Sequence, residues 1–306
     1  MIIFTVCKLD ALWHIFILGV DIMIKYPLKP VVKWAGGKAK ILNQLSNYFP
    51  YDFCNYHEPF MGGGAVFFYL FAEIRGKNAK AYLSDSIEEI INLYRVIRDD
   101  VEMLITISKK HIYDQQYYYN IRSQDPAELS DAQRASRTLY LNKTCFNGLY
   151  RVNSKGRFNV SFGDYTDPVI VNEAALRNAS RTFQQAELYA GDFETVLDNA
   201  GAGDFVYLDP PYVPLSPTSN FTGYTSGAFS MADHRRLREV FGILQARGCY
   251  VMLSNSNTDF VRDLYRGCNI KTINAIRAIN SVASKRGSIK ELVVLSYPDQ
   301  DMCVTG

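Results

Sequence analysis

The chain of 306 residues lacks most of the features that would tie it to a metal or a membrane. Its six cysteines, Cys7, Cys54, Cys145, Cys249, Cys268 and Cys303, form no CxxC pair and have no histidine at ligand spacing. That excludes a zinc ribbon or a disulfide framework and leaves free thiols of a reducing compartment. His14, His57, His111 and His234 do not cluster either, so no metal is expected. No apolar run approaches the ~20 residues of a membrane span. The most apolar stretch, residues 1–22, is broken by Lys8, Asp10, His14 and Asp21 and shows no clear period. It lacks the basic start and cleavage site of a signal peptide. It reads as an extension that adds little to the fold, with Met23 as the working start. Charge of one sign is also missing: 33 Lys and Arg stand against 31 Asp and Glu, so a face for nucleic acid must be a local patch. Internal repeats and low-complexity tracts are absent.

What is present is a rhythm of short apolar runs, each ending in a polar or glycine turn before a helical pattern. Ala79 to Leu83 ends at Ser84-Asp85, and Ile87, Ile90, Ile91, Tyr94 and Ile97 then fall on one helical face. Phe205 to Leu208 ends at Asp209-Pro210-Pro211-Tyr212, and Cys249 to Leu253 at Ser254-Asn255-Ser256; Leu292 to Leu295 is a late strand. Strands alternating with helices predict an α/β fold with a mainly parallel sheet, whose ligands bind beyond the carboxyl ends of the strands. From about Asp99 the chain turns polar and helical, with a capping box at Ser130 and Gln133. Asn142 to Tyr165 is rich in Gly, Asn, Arg and aromatics, and Asn153-Ser154-Lys155-Gly156 reads as a hairpin turn. Residues 99–167 are therefore expected to be an inserted module, with residues 23–98 and 168–306 forming the main domain.

Two motifs carry chemistry. In Asp209-Pro210-Pro211-Tyr212 the prolines stiffen the strand end and remove two donors, leaving the Pro210 carbonyl and the Asp209 carboxylate as acceptors beside a flat Tyr212 ring. An aromatic amine is a weak nucleophile because its lone pair is delocalised; two acceptors on its N–H bonds would free that pair. The bland alternative is a stiff loop after a core strand. The second motif, Glu58-Pro59-Phe60-Met61-Gly62-Gly63-Gly64, precedes the apolar run Val66 to Phe71. Its glycines let backbone approach a nucleotide-like ligand, and it lacks the Gly-Lys-Ser/Thr ending of a P-loop. Asp85 follows about 20 residues on, where an acid accepts ribose hydroxyls.

Together these motifs resemble the Dam-like group of DNA adenine-N6 methyltransferases, over about Met23 to Tyr297. Lys33-Trp34-Ala35-Gly36-Gly37-Lys38 resembles the opening motif at the methionine end of the cofactor, Glu58 to Gly64 the glycine loop and Ser84-Asp85 the ribose acid. Gly191-Asp192-Phe193 resembles the turn at the cofactor's adenine, and Asp209 to Tyr212 the catalytic motif. Phe146-Asn147-Gly148-Leu149-Tyr150-Arg151 and Gly156-Arg157-Phe158-Asn159-Val160 resemble the recognition hairpin of members acting on GATC. One departure is Ser161-Phe162-Gly163, where such members carry Pro before the aromatic.

The resemblance implies a Rossmann-like methyltransferase domain with an inserted helical and β-hairpin DNA-recognition domain. It also implies S-adenosylmethionine as cofactor, double-stranded DNA as partner and a flipped adenine as target. Asp209, Pro210 and Tyr212 are the expected catalytic residues. Trp34, Gly36, Lys38, Glu58, Phe60, Gly62, Gly64, Asp85, Asp192, Phe193 and Asp209 are expected at the cofactor. Lys33, Lys143, Asn147, Leu149, Arg151, Lys155, Arg157 and Tyr165 are expected at DNA, with Arg151 reading a guanine. Arg277, Lys285 and Arg286 are read as a backbone-contacting loop, and Tyr117 to Tyr119 as helix packing. The expected enzyme is a cytoplasmic monomer or weak dimer of a prokaryote or phage; a cognate restriction endonuclease is not readable. Rival readings are a methyltransferase acting on RNA or a protein glutamine, and a nucleic-acid-binding protein without activity. No Cys follows a Pro at a strand end, which argues against cytosine C5 chemistry.

Overall fold

The computed structural model describes residues 29–73, 79–215, 229–276 and 288–298, with backbone alone for residues 72–73, 276 and 288–289 and for three strands within residues 5–25. Those three strands, β1 (Thr5–Leu9), β2 (Leu12–Ile17) and β3 (Val20–Lys25), pair antiparallel as a sheet of their own. The sequence shows no period there because apolar residues occupy both alternating sets, so β-pairing had no one-sided pattern to reveal it.

Along the chain there follow α1 (Leu42–Leu45), β4 (Tyr56–Glu58), α2 (Ala65–Glu73), β5 (Ala81–Asp85), α3 (Glu88–Asp99), α4 (Val101–Ser108), α5 (Gln115–Ser123) and α6 (Asp131–Thr144). After them come α7 (Glu173–Phe183), β6 (Ala186–Ala190), β7 (Phe205–Leu208), α8 (Met231–Ala246), β8 (Tyr250–Ser256), α9 (Asp259–Leu264), β9 (Asn269–Ile276) and β10 (Ser288–Leu295). Seven strands form one sheet in the order β6-β5-β4-β7-β8-β10-β9. The first five run parallel, and β10 lies antiparallel between β8 and β9.

Burial on both faces explains the continuous apolar run of β7. Phe205 and Tyr207 join the core under α3 and α7, while Val206 and Leu208 join the core under α8 and α9; strand side chains alternate between faces. Helix α3 buries Ile90, Ile91, Leu93, Tyr94 and Ile97, and Ser130 with Gln133 forms the expected capping box of α6. A third, smaller core joins Tyr118, Ile121, Tyr140, Leu141, Cys145 and Val160 beneath the hairpin. Leu104 and Ile105 of α4 and Ala135 and Leu139 of α6 pack instead into the main core. Two helices of the segment 99–167 thus share the main core. Arg277, Lys285 and Arg286 lie outside the described residues.

Candidate active site

Parallel strands end together, so the strand order fixes the order of the polar residues beyond them. From β6 to β8 the edge carries Asp192, Asp85, Glu58, Asp209 and Asn255. Asp209 sits next to Lys38, which lies in a 3-10 turn, Lys38–Lys40. Lys38 Nζ is 2.6 Å from Asp209 Oδ2 and donates to the Gly36 carbonyl at 2.7 Å. It also lies 4.8 Å from the centre of the Tyr212 ring. Burial pushes the Asp209 carboxyl up to about 6, against the pull of Lys38. Its Oδ1 is buried without a hydrogen-bond partner among the described residues, and the Pro210 carbonyl likewise accepts none. A buried polar atom left open is costly unless a ligand completes it.

The turn after β7 is fastened from β8. Asn255 accepts from the Val213 N–H at 3.2 Å, and Ser256 Oγ donates to the Val213 carbonyl at 2.7 Å. The polar cluster read at the end of β8 therefore anchors the acceptor tetrapeptide.

The glycine loop is held by Asp85. Its Oδ2 accepts the Gly62 N–H at 2.8 Å and its Oδ1 the Ile87 N–H at 3.0 Å, and Tyr94 donates to the Gly62 carbonyl at 2.6 Å. Burial lifts the Asp85 carboxyl to about 6, against these backbone donors. Gly62 has φ +45°, and a Cβ there would lie 2.4 Å from Trp34 Nε1. Only glycine admits both the left-handed backbone and the indole resting on it. Glu58 is buried, with Oε2 accepting from Tyr56 at 2.9 Å and from the Phe67 N–H at 3.2 Å; burial lifts its carboxyl to about 8. A side chain added at Gly36 would meet no atom of the described residues within 4 Å, so the turn before Lys38, rather than the glycine loop, borders open space among them.

Beyond β6, Asp192 caps the turn by accepting the Glu194 N–H at 3.0 Å, and its other oxygen is paired with Arg236 of α8. The Arg236 guanidinium lies 4.4 Å from the Phe193 ring centre. Phe60 stacks on Phe193 at 5.4 Å, and Phe229 meets both rings at 5.8 Å.

The expected DNA residues divide in two. Lys33, next to Trp34, meets Tyr165, and Asn147, Leu149 and Arg151 lie in the turn and hairpin whose Tyr150 ring packs near Trp34. Lys33 Nζ lies 4.1 Å from the Tyr165 ring centre, Trp34 and Tyr150 are 5.9 Å apart, and Gly148, with φ +62°, leaves room for the Lys33 side chain. Val152 bridges Phe158 antiparallel, which forms the hairpin. Arg151 is exposed, and Asn159 accepts from its Nε at 2.7 Å and Nη2 at 3.2 Å. Lys155, in the turn, is exposed. Lys143 and Arg157 are placed differently. Lys143 donates inward to the Val31 carbonyl at 2.5 Å, and burial lowers its ammonium to about 8. Arg157 pairs with Asp125 at 2.6 Å.

Four residues with clear positions here carried no sequence motif of their own. Asn142 accepts from the Lys33 N–H at 2.9 Å and donates to the Lys33 carbonyl at 2.7 Å and the Gly148 carbonyl at 3.3 Å. Arg236 and Phe229 belong to α8 and its approach. Glu291 of β10 accepts from the Tyr212 hydroxyl at 2.9 Å. The one available signal was Glu291, a carboxylate heading an apolar strand run.

A mainly parallel sheet with a glycine loop and two acceptors, open among the described residues, at a central strand end is the arrangement of a group-transfer enzyme of the methyltransferase class. The chain belongs to the family of D12 class N6 adenine-specific DNA methyltransferases, whose profile matches residues 34–279. It is 41% identical to Type II methyltransferase M1.LlaDCHI of Lactococcus lactis subsp. cremoris, covering 89% of this chain and 97% of that one. Type II methyltransferase M.MjaIII of Methanocaldococcus jannaschii is 40% identical, covering 88% and 99%. The DNA adenine methylase of Escherichia coli is 31% identical, covering 87% and 95%. Among the described residues no helix is long and apolar enough to cross a membrane.

Proposed function

We propose that this DNA adenine methyltransferase uses S-adenosylmethionine to methylate N6 of an adenine flipped out of duplex DNA, within GATC. The observation that carries the reading is the buried Asp209 Oδ1, followed in the chain by the Pro210 carbonyl, neither with a hydrogen-bond partner among the described residues. They are the acceptors that a primary aromatic amine requires. The cofactor supplies an electrophilic methyl group on a sulfonium. Trp34, Gly36 and Lys38 would hold its methionine end. The loop Glu58–Gly64 and Asp85 would hold its ribose, and Phe60, Asp192 and Phe193 its adenine. The open space beside Gly36 and the aromatic group at Phe193 suit those parts.

The chain's own residues act on the amine. A base inside a duplex is out of reach, so it leaves the stack and lies against Tyr212. N–H bonds to Asp209 and Pro210 draw the nitrogen lone pair out of conjugation and stabilise the positive charge that grows on nitrogen. Residues 99–167 serve as the recognition module, with Lys33, Asn147, Leu149, Arg151, Lys155 and Tyr165 on the DNA side. The enzyme works in the cytoplasm as a monomer or weak dimer, and its type II relatives suggest a restriction-modification setting. Labelled cofactor offered with GATC duplex, each single-base variant, RNA and protein tests the reading. Label is expected in the GATC duplex; label in RNA or protein instead would replace it.

A further inference from the structure

We propose that Glu291 is a positioning residue for methyl transfer: by accepting the Tyr212 hydroxyl it fixes the plane of the ring against which the target base lies. The proposal rests on the reading above that the base stacks on Tyr212. β10 is an interior strand, antiparallel to β8 at Glu291↔Ser256 and to β9 at Glu291↔Ile273. A carboxylate there is half-buried in a sheet whose next four residues, Leu292 to Leu295, are core. Such a site is unfavourable for a charge without a compensating bond. The bond it makes is to the phenol hydroxyl, at 2.9 Å.

Two further groups meet Tyr212: the Lys38 ammonium, 4.8 Å from the centre of its ring, and the Asp209 carboxyl, near its hydroxyl. Lys38 is itself fixed to Asp209 and the Gly36 carbonyl. The ring is therefore held by Glu291 and the Asp209 carboxyl at its hydroxyl and by Lys38 at its ring. A flat ring can rotate about its side-chain bonds, and stacking is effective only when it is held parallel to the base. The peptide turn alone does not supply that restraint; the bond to β10 does.

Glu291 also faces Asp209. The groups around that carboxyl are Lys38 of the 3-10 turn, Tyr56 and Glu58 of β4, Tyr207 of β7, Tyr212 of its own turn and Glu291 of β10. Glu291 raises the Asp209 carboxyl and Lys38 lowers it.

The test compares Glu291→Ala, Glu291→Gln, Tyr212→Phe, Tyr212→Ala and the double variant Glu291→Ala/Tyr212→Phe in the full chain. The measurements are kcat, KM for S-adenosylmethionine, and the fluorescence of 2-aminopurine at the target adenine. Losing a hydrogen bond to a charged group should lower kcat about ten- to a hundredfold in Glu291→Ala, with KM for the cofactor within about twofold. Tyr212→Phe should lose as much, and the double variant no more, because the two act through one bond. Glu291→Gln keeps an acceptor and should retain kcat, with the acid limb of its pH profile moved downward. Full kcat in both Glu291→Ala and Tyr212→Phe, or losses that multiply in the double variant, overturns the proposal. If Glu291→Ala fails to fold, Glu291→Leu takes its place, because Tyr212→Phe also removes the hydroxyl from beside Asp209. Tyr212→Ala separates the two readings. Full kcat and an unchanged fluorescence signal there would remove base stacking itself. A loss there, beside normal Glu291→Ala and Tyr212→Phe, would remove only the role of Glu291.

Discussion

Asp209 is pulled in two directions, by burial toward the acid and by Lys38 toward the carboxylate, and the balance lies at about 6. The carboxylate is the working form. Turnover should therefore be full above that pH and fall about tenfold per unit as pH drops through it. Removing the opposite charge by Lys38→Gln should move that limb upward. Asp209→Asn replaces one oxygen acceptor with a donor and should abolish measurable transfer while duplex binding persists; near-normal turnover by the folded variant would remove Asp209 from the reaction. The sequence disclosed Asp209, Pro210, Tyr212 and the glycine loop because their chemistry is local to a few consecutive residues. Arg236, Asn142 and Glu291 act through distances of 44, 109 and 79 residues along the chain. No short pattern can announce such partners. Asp85 was read as a ribose acid. In the fold its oxygens also support the Gly62 and Ile87 N–H groups, a use that only the close approach of β4 and β5 creates.

At the scale of elements, strands β5, β7, β8 and β10 were legible as short apolar runs. β4, three residues long, β6 and β9 were not, and the last two are the edges of the sheet. An edge strand is buried less completely and its residues alternate, as Ala186–Ala190 does, so it lacks the continuous run that marks an interior strand. The segment from Val31 to Lys38 is clamped to α6 and the turn that follows it by Asn142, Lys143 and Gly148. Truncating Asn142 leaves the Lys33 N–H and two carbonyls without that partner, so Asn142→Ala should destabilise by about 2–3 kcal/mol in urea unfolding. It should also weaken both cofactor and DNA binding, since one strap serves both; an unchanged denaturation midpoint would contradict the clamp. On the hairpin, Asn159 holds Arg151 by Nε and Nη2, which pre-orients the guanidinium. Arg151→Ala should lose about 1–3 kcal/mol of discrimination at one guanine. Equal weakening on every sequence would make Arg151 a phosphate contact instead.

Across the whole molecule, nearly neutral charge leaves DNA affinity to local placement, and the Lys33–Tyr165 contact and the Trp34–Tyr150 pair put the proposed DNA face against the proposed cofactor loop. Among the described residues, strands β1 to β3 pair with one another and not with the seven-stranded sheet. A chain beginning at Met23 should therefore keep its thermal unfolding midpoint and its cofactor affinity, and loss of either would make residues 1–22 part of the core. The account as a whole turns on which atom receives the methyl group and in which sequence. Nucleoside mass spectrometry of a duplex containing one GATC, after incubation with S-adenosylmethionine, measures this directly. The account predicts N6-methyladenine in each GATC strand and none in a duplex whose GATC has been altered at one base. Methylcytosine in the digest, or N6-methyladenine formed equally in the altered duplex, would contradict it.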